Sequence, residues 1–167
     1  MSTMPFKAGD VLLYSGKTLV DDVIRVVTLS DFNHVAIVMP DCQTMVEALP
    51  GGVVVKPITE MGETGVWHVS TEMTWNASAS AFVKSVLGEP YSYLNDLLAG
   101  LGYPPATEKE WECAQLAAKI LRILGMPLPT ICDTPQEVAM ACAKKGCLFQ
   151  FLPSQAEIAD AMPKLGG

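Results

Sequence analysis

Asn33-His34-Val35-Ala36-Ile37-Val38-Met39 is the stretch on which the fold turns. It is short, rich in β-branched residues and stopped by Pro40-Asp41, so it reads as a strand opened by a histidine. A tight connection through Pro40 to Gln43 leads to a second strand, Thr44 to Leu49, closed by Pro50-Gly51-Gly52. Val53 to Ile58 and Val66 to Val69 read as two more. Upstream, Gly9-Asp10 turns the chain into an apolar strand, Val11 to Tyr14. Short strands divided by tight turns favour an antiparallel meander.

Around this β-rich half the periodicity is helical. Thr18 caps a helix with Asp21 at its third position and Leu19, Val20, Val23, Ile24 and Val27 at helical spacing, broken by Ser30 to Asn33. Later segments read as helices over Trp75 to Leu87, Leu94 to Leu101 and Trp111 to Leu124, the last stopped by Gly125 and Pro127. Thr134-Pro135-Gln136-Glu137 is a capping box with proline at the first helical position, opening a helix to about Lys145. Ser154 and Glu157 repeat that logic for a final short helix. Strands clustered early and helices late predict an α+β fold, with no repeat or linker dividing residues 1–167, hence one domain.

Composition narrows the function. Half of the 167 residues are hydrophobic and 17% are charged, which excludes a disordered chain. Eleven basic against 18 acidic residues give a net charge of −7, the wrong sign for a general nucleic-acid binder. No uncharged apolar run approaches the roughly 18 residues of a membrane span. The N-terminus has no basic region followed by an apolar run, so the expectation is a soluble chain, cytoplasmic at synthesis. Its five cysteines are then expected as thiols, and the odd number leaves at least one unpaired.

Three residues stand out as able to do chemistry. His34, at a strand mouth beside a loop, is placed where a base is accessible, although taken alone it favours an ordinary strand-end histidine. Cys113 heads the stripe Leu116, Ala117, Ile120, Leu121 and Leu124. It reads either as a small core residue or as a thiol at the positive end of a helix dipole, where thiolate is favoured, against the opposing charges of Glu110 and Glu112. Glu47 lies among Met45-Val46 and Ala48-Leu49, and a lone carboxylate in such a run has a partner or an edge. From the neighbouring strand it can meet His34 and orient its ring. His68, between Trp67 and Val69, reads as a histidine on the solvent face or hydrogen-bonded within the sheet. Cys42 falls in a turn, and Cys132, Cys142 and Cys147 have neither a Cys-x-x-Cys spacing nor a nearby histidine, so no metal site is expected. No phosphate loop or other cofactor motif is present.

These residues resemble a family. Gly9-Asp10-Val-Leu-Leu-Tyr14, then Asn33-His34-Val-Ala-Ile-Val38, then Met45-Val46-Glu47-Ala48 and Gly51-Gly52-Val53-Val54 are similar to the NlpC-type papain-like cysteine peptidases. The cysteine that opens a strong helix, in Trp111-Glu112-Cys113-Ala114-Gln115-Leu116, comes after the histidine. That order resembles the circularly permuted branch, the YiiX-like proteins and relatives of lecithin:retinol acyltransferase. Gly88-Glu-Pro-Tyr91 and the Thr134-Pro135 helix start fit the same pattern, while Ala36 stands where the family often has glycine. The resemblance covers roughly residues 5 to 145 and implies a small antiparallel sheet followed by packed helices. It also implies a Cys113 nucleophile, a His34 base and Glu47 as orienting acid. The implied activity is a cysteine peptidase or amidase working through an acyl-enzyme on a peptide, cell-wall or lipid-amide substrate. Alternatives are acyl transfer to or from lipid, with Leu97 to Tyr103 as a pocket lining or simply core, and a non-catalytic binding module of the same fold. The Cys113 N–H is the natural oxyanion donor, and Tyr14, Tyr91 and Tyr103 are candidates for a second.

Overall fold

A computed structural model describes residues 5–15, 32–61, 65–90 and 112–163. In chain order the described elements are β1 (Val11–Tyr14), β2 (His34–Val38), β3 (Thr44–Leu49), β4 (Gly52–Pro57), a 3₁₀ turn (Ile58–Glu60) and β5 (Val66–Ser70), followed by α1 (Ala77–Val86), α2 (Cys113–Ile123), α3 (Pro135–Lys145), β6 (Leu148–Leu152) and α4 (Gln155–Ala161). The fold is therefore α+β, with one six-stranded antiparallel sheet and four helices among the described residues. The helices expected over 18–27 and 94–101 lie outside them.

The strand order is β4-β3-β2-β1-β5-β6, so the expected antiparallel meander holds for β1 to β4 and is corrected at β5. β2, β3 and β4 follow one another through short turns, whereas β5 returns to pair with β1, Leu12 opposite His68. β1 thus becomes a central strand. The second half is also not wholly helical, because β6 pairs along β5 with Trp67 opposite Phe151. Local signals fix the helix starts. The Asn76 side chain accepts from Ala79 N, and the expected capping box of Thr134 and Glu137 is formed with Pro135 in the first turn.

The sheet is buried on both faces. Val11, Leu13, Val35, Ile37, Val46 and Ala48 pack beneath α1, α2 and α3 through Val83, Leu116, Ile120, Leu121 and Val138. On the other face Leu12, Ala36, Val38, Met45, Val66 and Leu152 pack with Phe6, Ile58, Met61 and Ile158. Two covered faces explain why β1 and most of β2 are unbroken apolar runs rather than alternating ones, since antiparallel strands alternate only when one face is wet.

One polar pair is set inside this core. His68 is fully buried, so its solvent-face reading is corrected, and its Nε2 lies 2.8 Å from Asp10 Oδ2. The same carboxylate accepts from the backbone N of Lys7 at 2.9 Å and of Thr71 at 3.1 Å. The Asp10 side chain, read from sequence as part of a turn, therefore ties the N-terminal segment, β1 and the end of β5 together.

Candidate active site

The apolar stripe of α2 decides where its first residue points. Cys113, Leu116, Ala117, Ile120 and Leu121 are all buried, and the helix packs on β2 and β3. Cys113 is the first helical residue, with Glu112 as an extended N-cap and no side-chain capping bond. As a first-turn residue its N–H has no acceptor inside the helix.

His34 opens β2 opposite Tyr14, and the two rings meet edge-on at 5.2 Å between centroids. In the β2–β3 register Ile37 faces Val46 and Val38 faces Met45, so Glu47 approaches His34 diagonally across the pair. His34 Nε2 is 2.7 Å from Glu47 Oε2. Cys113 is the neighbour whose side chain does most to raise the His34 pKa. With Nε2 on Glu47, Nδ1 is the nitrogen left for the thiol. His34 thus has Glu47 on one ring nitrogen and Cys113 among the groups that act on it.

The other Glu47 oxygen is held as well. Lys56 Nζ from β4 lies 2.6 Å from Oε1, while Glu47 itself is 1% exposed. Burial pushes the Glu47 pKa up, but the hydrogen bonds and charges of His34 and Lys56 overcome it and hold the carboxyl below its ordinary range. For His34, burial pulls the pKa down. The charge and hydrogen bond of Cys113, then those of Glu47, outweigh burial and raise it from 6.5 to about 10. Cys113 and Glu47 together thus favour the protonated ring.

The other four cysteines lie in different surroundings. Burial raises Cys132 to about 12, with Glu137 adding to it, and burial also raises Cys42, Cys142 and Cys147. All five cysteines are free thiols. Among the tyrosines offered as oxyanion donors, Tyr14 directs its hydroxyl to Met45 Sδ at 3.1 Å, and Tyr91 and Tyr103 lie outside the described residues.

Sequence reading missed Lys56. A signal was available: it is the only charge in Val53-Val54-Val55-Lys56-Pro57, and β4 pairs with β3 so that Glu47 faces Val54 and Lys56 faces Met45. Lys56 is therefore diagonal to Glu47 on the same face.

No family model matches the chain, and no curated protein matches it. Among solved structures, the chain is similar to the metalloprotein YiiX from Escherichia coli O157:H7, described as DUF1105, at 19% identity and a TM-score of 0.54. The match covers 73% of this chain and 67% of that one. At this identity the likeness is one of fold, and it agrees with the YiiX-like resemblance read from the residues. No helix among the described residues is long and apolar enough to cross a membrane.

Proposed function

We propose that the protein is a cysteine hydrolase on a circularly permuted papain-like fold of the NlpC type, cleaving an amide in a peptide of the cell-wall kind or a related molecule. The observation that carries this reading is His34 set between the Glu47 carboxylate at 2.7 Å and the thiol at the start of α2. The likeness to YiiX supports the fold part of it.

His34 takes the proton from Cys113 Sγ, and the thiolate attacks the carbonyl carbon of the amide. Negative charge on the carbonyl oxygen is met by the Cys113 N–H at the helix N-terminus. The tetrahedral adduct collapses, the C–N bond breaks, and His34 returns the proton to the departing amine. Water then attacks the thioester with His34 as base, releasing the acid and restoring the thiol. Glu47 stays ionised throughout and fixes the ring orientation. YiiX is described as a metalloprotein. Among the described residues of this chain no three His, Cys, Asp or Glu side chains converge to fit a metal ion, so no step is assigned to one.

The test is intact-mass detection of covalent labelling. Cys113 is expected to be the thiol alkylated fastest by iodoacetamide near neutral pH, and Cys113→Ala to abolish that fast adduct. An inert Cys113 beside a rapidly labelled Cys42 or Cys132 refutes the assignment.

A further inference from the structure

Glu47 does not serve His34 alone. Its buried carboxylate has one oxygen 2.7 Å from His34 Nε2 and the other 2.6 Å from Lys56 Nζ. Three strands converge on it: β2 brings His34, β3 carries Glu47 and β4 brings Lys56. The charged and titratable groups facing this cluster are Cys113 from α2, which meets His34, and Tyr14 from β1, which stacks edge-on against His34 and feels the Glu47 charge. Lys56 is thus the cation behind the orienting acid.

We propose that Lys56 is a positioning residue that acts on His34 through Glu47, fixing the carboxylate and taking up part of its charge so that the imidazolium can release its proton. The proposal rests on the reading of His34 as the base. A histidine that must accept a proton from the thiol and then give it to the leaving amine works poorly if its proton is held too tightly. With Glu47 as its only counter-ion in a buried place, His34 would leave an isolated buried carboxylate each time it became neutral. Lys56 removes that obstacle, because Glu47 remains paired when His34 is neutral. Removing a nearby positive charge raises the proton affinity of every group around it. The direction of the effect is therefore fixed: loss of Lys56 moves the His34 titration upward.

The experiment is an NMR titration of the imidazoles in the Cys113→Ala background. The chain has only two histidines, so the His34 signal is assigned by its loss in His34→Gln. Lys56→Met is expected to raise the His34 midpoint by about one pH unit, because a like charge nearby disfavours the protonated ring and its loss lifts that penalty. Lys56→Arg is expected to return it close to its starting value. Should Lys56→Met fail to fold, Lys56→Gln, which removes the charge but stays polar, is read the same way. A folded Met or Gln variant with an unmoved or lowered midpoint overturns the proposal. Because the background lacks the thiol, the result is independent of iodoacetamide labelling, which tests the hydrolase reading separately.

Discussion

At the scale of the residue, the surroundings of His34, Cys113 first and then Glu47, make stability depend on pH in a defined direction. The folded pKa of His34 is raised, so its stabilising contribution is full below 6.5 and is lost as pH rises through about 10. The folded pKa of Glu47 is lowered, so its contribution is present above its ordinary 4.5 and is lost as pH falls through the folded value. Urea midpoints are expected to decline across the alkaline side of this range in the native sequence. In Glu47→Gln the amide keeps a hydrogen-bonding partner but no charge, and the His34 midpoint is expected to fall by about one to three units. The alkaline decline should then begin and end at lower pH; an identical decline in both proteins would show that Glu47 does not set the His34 proton affinity. The pairing of these two residues was legible in the sequence because a lone glutamate in an apolar strand demands a partner, and the hairpin offered one. Lys56 stood out only as the single charge of its strand, because which residue it meets depends on the β3–β4 register, which spacing alone does not give.

At the scale of the element, β4 is held in place by a close backbone approach. Gly88 N donates to Val53 O and Val53 N donates to Glu89 O, both at 2.9 Å. Gly52, just before, has φ +124, and a Cβ there would stand 2.7 Å from Glu89 O. Gly51 has φ +110 but opens onto free space. Both substitutions to alanine strain the backbone, by about 1–3 kcal/mol. Gly52→Ala must in addition push the 88–89 segment away, so its loss in urea unfolding is expected to exceed that of Gly51→Ala. Equal losses would mean that the approach of the two segments contributes nothing. The strands around this turn were readable because turn residues bracket them. β6 was not, since Leu148–Leu152 is a five-residue edge strand directly after α3, with mixed exposure and no alternation to mark it. The partner of β5 was equally hidden: chain proximity pointed to β4, whereas β5 pairs with β1 and β6 and extends the sheet beyond β1.

At the scale of the whole molecule, the sheet has two polar anchors on different strands. His34, Glu47 and Lys56 lie on β2, β3 and β4, while Asp10 and His68 join the start of β1 to β5. The second anchor has zero or near-zero exposure, and its ion pair involves none of the groups of the first. Its sequence signature was slight, a Gly-Asp turn and a strand histidine separated by 58 positions. Removing one member of a buried pair costs about 3–5 kcal/mol, because the other is left without its partner. Asp10→Ala also strips the acceptor from the Lys7 and Thr71 backbone N–H groups. It is therefore expected to lower stability by at least that amount in urea unfolding. Distant sites that share no partners contribute nearly independently. In the folded fraction of Asp10→Ala, the His34 titration midpoint and the alkylation rate of Cys113 should accordingly match the native protein. A shift in either would mean that the two anchors are coupled through β1, whose Tyr14 stacks on His34 four residues from Asp10. An unmoved midpoint in a much weakened fold would assign Asp10 and His68 to holding the sheet and leave the chemistry to the other end of the strands.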